Sequence, residues 1–169
     1  MTHFEKQAEF HQAFGQPVHT TPALPEPRLE SIEACASLLE VELAIKKAIR
    51  RLSREQGRRY LRLSLILEEV GELIEAERID NLVGIADALA DIEVIADGTA
   101  HEYGIPLDAV RHEIHRSNMS KLEDGKPLYR DDGKVLKGSA YSPPDVEGVL
   151  CAWGYNPEGD MLESRTAQV

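Results

Sequence analysis

Apolar side chains recur at every third or fourth position through most of this chain, which is the spacing of amphipathic helices. Phe4, Ala8, Phe10 and Phe14 predict a short helix over 4–14, stopped by Gly15 and Pro17. Pro17, Pro22, Pro25 and Pro27 make 15–28 an extended connector. Leu38, Val41, Ile45, Ile49 and Leu52 predict a helix over about 31–54, with Lys46, Lys47, Arg50 and Arg51 on other faces. A second long helix is expected over 58–79 through Leu63, Ile66, Leu67, Val70, Leu73 and Ile74, and Asp80-Asn81 reads as a turn and cap. A third covers 82–103. A fourth opens at Pro106, a favoured first-turn residue, and reaches Met119 through Leu107, Val110 and Ile114.

No stretch between 31 and 119 alternates with period two over a convincing length. The expected class is therefore all-α: an antiparallel bundle of about four core helices, with an N-terminal helix and an irregular C-terminal segment. Three regions follow: 1–28, a helix and proline-rich connector; 29–121, a helical metal-binding bundle; and 122–169, a loop-rich segment. Residues 122–147 are rich in Gly, Pro, Asp and Lys and read as ordered loop, with a small hairpin around Asp132-Gly133. The last twenty residues show little pattern and are expected to be mobile.

Composition narrows the partners. The 169 residues carry a net charge of −11, which repels a phosphate backbone, so nucleic acid is not expected as a partner. Metal ions can supply that positive charge for a phosphorylated small molecule. No run of about 18 apolar residues exists, which argues against a membrane span. The start, MTHFEKQAEF, lacks the basic and apolar regions of a secretory signal. Cys35 and Cys151 match no metal-ligand spacing; two reduced thiols in a cytoplasmic protein are expected, a single disulfide being the alternative.

The candidate chemistry is acidic. The helix over 58–79 contains Glu68, Glu69, Glu72, Glu75 and Glu77, and at about 100° per residue several share one edge. In the next helix Asp87 and Asp91 stand one turn apart, so they project together. Their neighbours are apolar nearly all the way round, which predicts a place in a bundle interior. A buried carboxylate needs a cation or a proton. Of two readings, ion pairing of Asp87 and Asp91 with Arg58, Arg59 or Arg62, and a divalent cation shared by Glu69, Glu72 and Asp91 with or without Asp87, the meeting of two acidic helices favours the cation. Hard oxygen ligands from facing helices suit Mg²⁺, with Mn²⁺ as a substitute, and no His or Cys stands at zinc-ligand spacing. For the glutamates alone, a solvated acidic face is the plainer account.

These residues carry a resemblance. Glu69-Val-Gly-Glu72 matches an ExxE motif; Leu89-Ala90-Asp91 follows after a short connector, then HRSNMSK over 115–121, and later DGKP, DDGKVLKG and PPD. The combination resembles the all-α nucleoside triphosphate pyrophosphohydrolases, the MazG-type and dimeric-dUTPase-like superfamily that includes phosphoribosyl-ATP pyrophosphohydrolases, in a phage and bacterial branch. It spans roughly 58–145 and, more weakly, FHQAFGQP at 10–17. It implies hydrolysis of an NTP or dNTP to NMP and pyrophosphate in nucleotide-pool housekeeping, with Mg²⁺ as cofactor. By position, Glu69, Glu72 and Asp91 become metal ligands, and Glu68 orients or deprotonates the attacking water. The family usually writes ExxD on the second acidic helix; the first position here is Ala88, with Asp87 adjacent and about 100° round the helix. The resemblance also implies a homodimer or homotetramer.

Beyond the acids, Lys121 suits a phosphate and Asn118 a base edge or sugar, with Lys126, Arg130, Lys134 and Lys137 as further cations. For each loop lysine, solvation is the plain alternative. His115 reads as a surface helix residue rather than a catalyst, and Tyr141 and Trp153 as packing aromatics rather than base-stacking ones. Three rival functions remain: action on phosphoribosyl-ATP, a non-catalytic nucleotide- or metal-binding regulator, and a structural bundle whose acids are ion-paired.

Overall fold

The computed structural model describes residues 1–25, 29, 31–130 and 133–158. Pro27 of the connector, Asp132 of the expected hairpin and the tail from 159 lie outside the described residues. Among the described residues six helices are present: α1 (His3–Ala13), α2 (Ile32–Leu52), α3 (Arg58–Arg78), α4 (Leu82–Tyr103), α5 (Leu107–Met119) and α6 (Val146–Ala152). Among the described residues there is no strand, only the bridges Glu123–Lys126 and Tyr129–Val135. The chain is all-α, as the periodicity predicts. None of the described helices is long and apolar enough to cross a membrane.

The chain forms two compact units, one of residues 19–103 and one of residues 1–18 with those from Gly104 on. In the first, α3 packs against α2 on one side and α4 on the other. Gly57 adopts φ +130°, a conformation that a side chain would strain, and it turns the chain into α3. Asp80 takes a left-handed φ of +56°, and Asn81 Oδ1 accepts from the Gly84 amide at 3.2 Å, so Asp80-Asn81 turns the chain and caps α4 as expected. Contacts fix the antiparallel register of α3 and α4. Arg58 Nη2 meets Glu102 Oε1 at 2.5 Å, Arg62 Nε donates to Thr99 Oγ1 at 3.0 Å, and a Cβ on Gly84 would come within 3.1 Å of Ala76 Cβ.

The second unit is held by polar locks. Thr2 and Glu5 form a reciprocal capping box on α1. Phe14 is fully buried against Phe10, and the Tyr129 hydroxyl donates to the Phe14 carbonyl. Glu113 of α5 accepts from Arg116 and from the Asp145 amide, while Arg116 also reaches the Pro143 carbonyl at 2.9 Å. Asp145 in turn caps α6 through the Gly148 amide. The sequence pattern misses α6 because seven residues are too few to show a helical period.

Candidate metal and phosphate site

The register places Glu69 of α3 across from the Asp87–Asp91 turn of α4, and the electrostatics register the proximity. Burial pushes the Glu69 carboxyl above its ordinary range, and the charges of Glu72, Asp91, Glu68 and Asp87 push it further the same way. All five candidate acids therefore act on one neighbourhood. None of the five makes an ion pair or side-chain hydrogen bond among the described residues.

The arginines expected as their partners go elsewhere. Arg58 pairs with Glu102, and Arg62 bonds Thr99 and the Ile95 carbonyl and lies 3.5 Å from Glu102. Arg59 is bonded to neither Asp87 nor Asp91.

Two expectations are corrected. The acids do not project into a dry interior: Glu68, Glu72, Asp87 and Asp91 are exposed, and only Glu69 is half-buried. Likewise α4 is not an interior helix. It buries the stripe Ile85, Ala88 and Ala100 and exposes Val83, Leu89 and Val94. Apolar residues all round a helix signal burial only if other helices surround it, and among the described residues α4 packs chiefly on α3. Ala88 is 2% exposed. At the position where the resemblance expects an acid, the side chain points into packing, and Asp87 is the residue whose charge reaches Glu69.

Among the described residues no three Asp, Glu, His or Cys side chains are drawn to metal-gripping range. The donor set still fits a hard divalent cation in kind: carboxylates from two helices, mutually repelling and unpaired.

A cleft of about 350 Å³ opens on the other side of α3, walled by Glu68, Glu72 and Glu75 of α3 and by Lys46 and Arg50 of α2. Gly71 forms part of its floor, where a Cβ would sit 3.4 Å from Ile45 Cγ2. Sequence reasoning left Lys46 and Arg50 aside. Their i,i+4 spacing, shared with Glu42, was the available signal.

Asn118, Lys121 and Lys126 belong to the other unit. Lys121 Nζ donates to Asn118 Oδ1 at 2.8 Å, while Lys126 is exposed within the Glu123–Lys126 turn. His115 departs from expectation. Its side chain is only 12% exposed and meets Glu9 Oε2 at 3.2 Å, so it ties α5 to α1. Tyr141 lies beneath the Lys137 ammonium, and Trp153 is exposed. Cys35 and Cys151 are both free thiols.

Comparison with known proteins agrees with the acidic motif. An uncharacterized protein of Acanthamoeba polyphaga mimivirus is 42% identical over 69 residues, covering 41% of this chain and 24% of that relative. The chain thus spans about a quarter of the length of that protein. Residues 46–118, which carry all five acids and the cationic pair of α2, match the phosphoribosyl-ATP pyrophosphohydrolase family, whose members hydrolyse phosphoanhydride bonds, within the all-α NTP pyrophosphohydrolase superfamily.

Proposed function

We propose that the chain is a Mg²⁺-dependent pyrophosphohydrolase that cuts a nucleoside or deoxynucleoside triphosphate to the monophosphate and pyrophosphate. The observation that carries this reading is the gathering of Glu68, Glu69 and Glu72 of α3 with Asp87 and Asp91 of α4, unpaired among the described residues, where burial first and then the four neighbouring charges raise the Glu69 carboxyl. Glu69, Glu72, Asp91 and Asp87 would hold the metal, with Mn²⁺ as a substitute. When bound, Mg²⁺ polarises phosphoryl oxygens and acidifies a coordinated water. Glu68, on the cleft wall, takes the proton of the attacking water as the phosphoanhydride bond breaks. Asn118, Lys121 and Lys126, in the other unit, are proposed as substrate-binding residues by their chemistry, the lysines for phosphate and the asparagine for a base edge or sugar.

The apolar side chains that α4 exposes, Val83 at 80% and Val94 at 64%, support assembly into a homodimer or homotetramer. The family match gives phosphoribosyl-ATP as the second substrate reading. A nucleotide panel assayed for pyrophosphate release, with and without Mg²⁺, tests both. Release from common triphosphates supports the first, release from phosphoribosyl-ATP alone the second, and no release from either overturns the enzymatic reading.

A further inference from the structure

Resting on the pyrophosphohydrolase reading, we propose that Lys46 and Arg50 of α2 form the phosphate-binding wall of the α2–α3 cleft, receiving the polyphosphate opposite Glu68 and Glu72.

The cleft is two-signed. Lys46 and Arg50 come from α2, and Glu68, Glu72 and Glu75 come from α3, around about 350 Å³. A polyphosphate alone would be repelled by the acids, and a divalent cation alone would be repelled by the basic pair. The arrangement suits a ligand that brings both charges, a polyphosphate with its metal.

The two cations are held differently. Lys46 Nζ lies 2.5 Å from Glu42 Oε1, one turn back on α2, and 3.7 Å from Glu75 Oε2 across the cleft. Glu42 is 4% exposed and takes Arg78 Nη2 of α3 at 3.4 Å on its other oxygen. Burying a carboxylate is costly unless cations compensate it, and here two do. Glu42 therefore anchors Lys46 at the cleft edge. An ammonium has three donors. Glu42 takes one, and the Glu75 contact is too long for a hydrogen bond. The remainder are available to phosphoryl oxygens. Arg50 stands one turn further along, exposed, with no ion pair among the described residues. Its planar fork suits two phosphoryl oxygens at once.

A purely structural Lys46 would serve only to neutralise Glu42 and Glu75. Removing it would then lower stability and leave ligand affinity alone. The proposal predicts opposite effects from the two residues that touch across the cleft. Without Lys46 the ligand loses a partner, whereas without the Glu75 charge Lys46 loses a competitor.

The test uses the whole chain with Mg²⁺. Calorimetry measures binding of inorganic tripolyphosphate, and pyrophosphate release gives kcat and KM for the best nucleotide. Lys46→Met and Arg50→Met are each expected to weaken tripolyphosphate binding and raise KM about tenfold with kcat little changed, Lys46→Arg to restore most of the affinity, and Glu75→Gln to tighten binding severalfold. Wild-type affinity in both Met variants, or weaker binding by Glu75→Gln, overturns the proposal. If the Lys46 variant unfolds, Arg50→Met and Glu75→Gln still decide. When wild type releases pyrophosphate yet the variants bind normally, this proposal falls alone; when wild type neither binds tripolyphosphate nor hydrolyses nucleotides, the function falls with it.

Discussion

Glu69 of α3 and Asp91 of α4 place like charges in one neighbourhood across the helix seam; burial raises the Glu69 carboxyl most, and Asp91 is one of four carboxylates that raise it further. A carboxyl raised in the folded chain binds protons more tightly there than in the unfolded one. Its contribution to stability is therefore largest at low pH and is lost as pH rises from about 4.5 through the folded value. In metal-free protein, Asp91→Asn is expected to raise the melting temperature at pH 7 and to lessen its decline with pH. Thermal scans between pH 4 and 8 check the sign.

The same acids predict the metal response. Saturating Mg²⁺, at about a hundred times its dissociation constant, adds about 2.7 kcal/mol and lifts the melting temperature by about 5–10 °C. Glu69→Gln and Asp91→Asn are each expected to remove most of that lift. Proton competition for Glu69 also makes the lift shrink as pH falls towards 4.5. An unchanged Mg²⁺ response in both variants would sink the assignment of these ligands.

Glu113 behaves in the opposite way. Bonds from Arg116 and the Asp145 amide lower its carboxyl to about 2. Its stabilisation is present above about 4.5 and is lost as pH falls towards 2. Glu113→Gln is expected to be less stable at neutral pH and less acid-sensitive, which acid titration followed by circular dichroism reads directly.

Arg62 spans α3 to α4 with its side chain 13% exposed, bonding Thr99 Oγ1 and the Ile95 carbonyl. Arg62→Ala is expected to cost about 2 kcal/mol in urea unfolding, the usual loss for a charged, part-buried donor. A Cβ on Gly98 would come within 2.5 Å of Arg62 Nη2. Gly98→Ala is therefore expected to be destabilising, although alanine is the better helix former by about 1 kcal/mol.

Ala88→Asp tests why the acidic motif is displaced by one residue. Position 88 faces packing, so an aspartate there buries a charge without a partner, and a loss of about 3 kcal/mol or more is expected. It should not improve Mg²⁺ binding. A stable Ala88→Asp protein with tighter Mg²⁺ binding would show that the helix can rotate to present it.

Much of this was legible beforehand. The helices from α2 to α5 follow from the spacing of Leu, Ile and Val, α1 from that of Phe and Ala, and the Asp80-Asn81 cap from its residue types. Periodicity identified Asp87 and Asp91 as one face, but it could not say which way that face points, because α4 is apolar on nearly every side. That ambiguity produced the expectation of a dry site. The place of Lys46 and Arg50 is hidden in the sequence for a related reason. Basic residues on an amphipathic helix usually face solvent, and only the packing of α2 on α3 shows that these two wall a cleft.

α3 opens on Arg58, Arg59 and Arg62 and carries its carboxylates further along, before Arg78 closes it. Arg58 and Arg62 lie toward Glu102, and the carboxylates begin at Glu68, roughly 10 Å further along the axis. That separation is about one screening length at 0.1 M salt. The charges of Arg58 and Arg62 are therefore largely screened from the Glu69–Asp91 seam, and the cations that stand beside the acids are Lys46 and Arg50 of the cleft. Raising ionic strength should change Mg²⁺ affinity through that local balance, while the helix packing beneath it is unaffected.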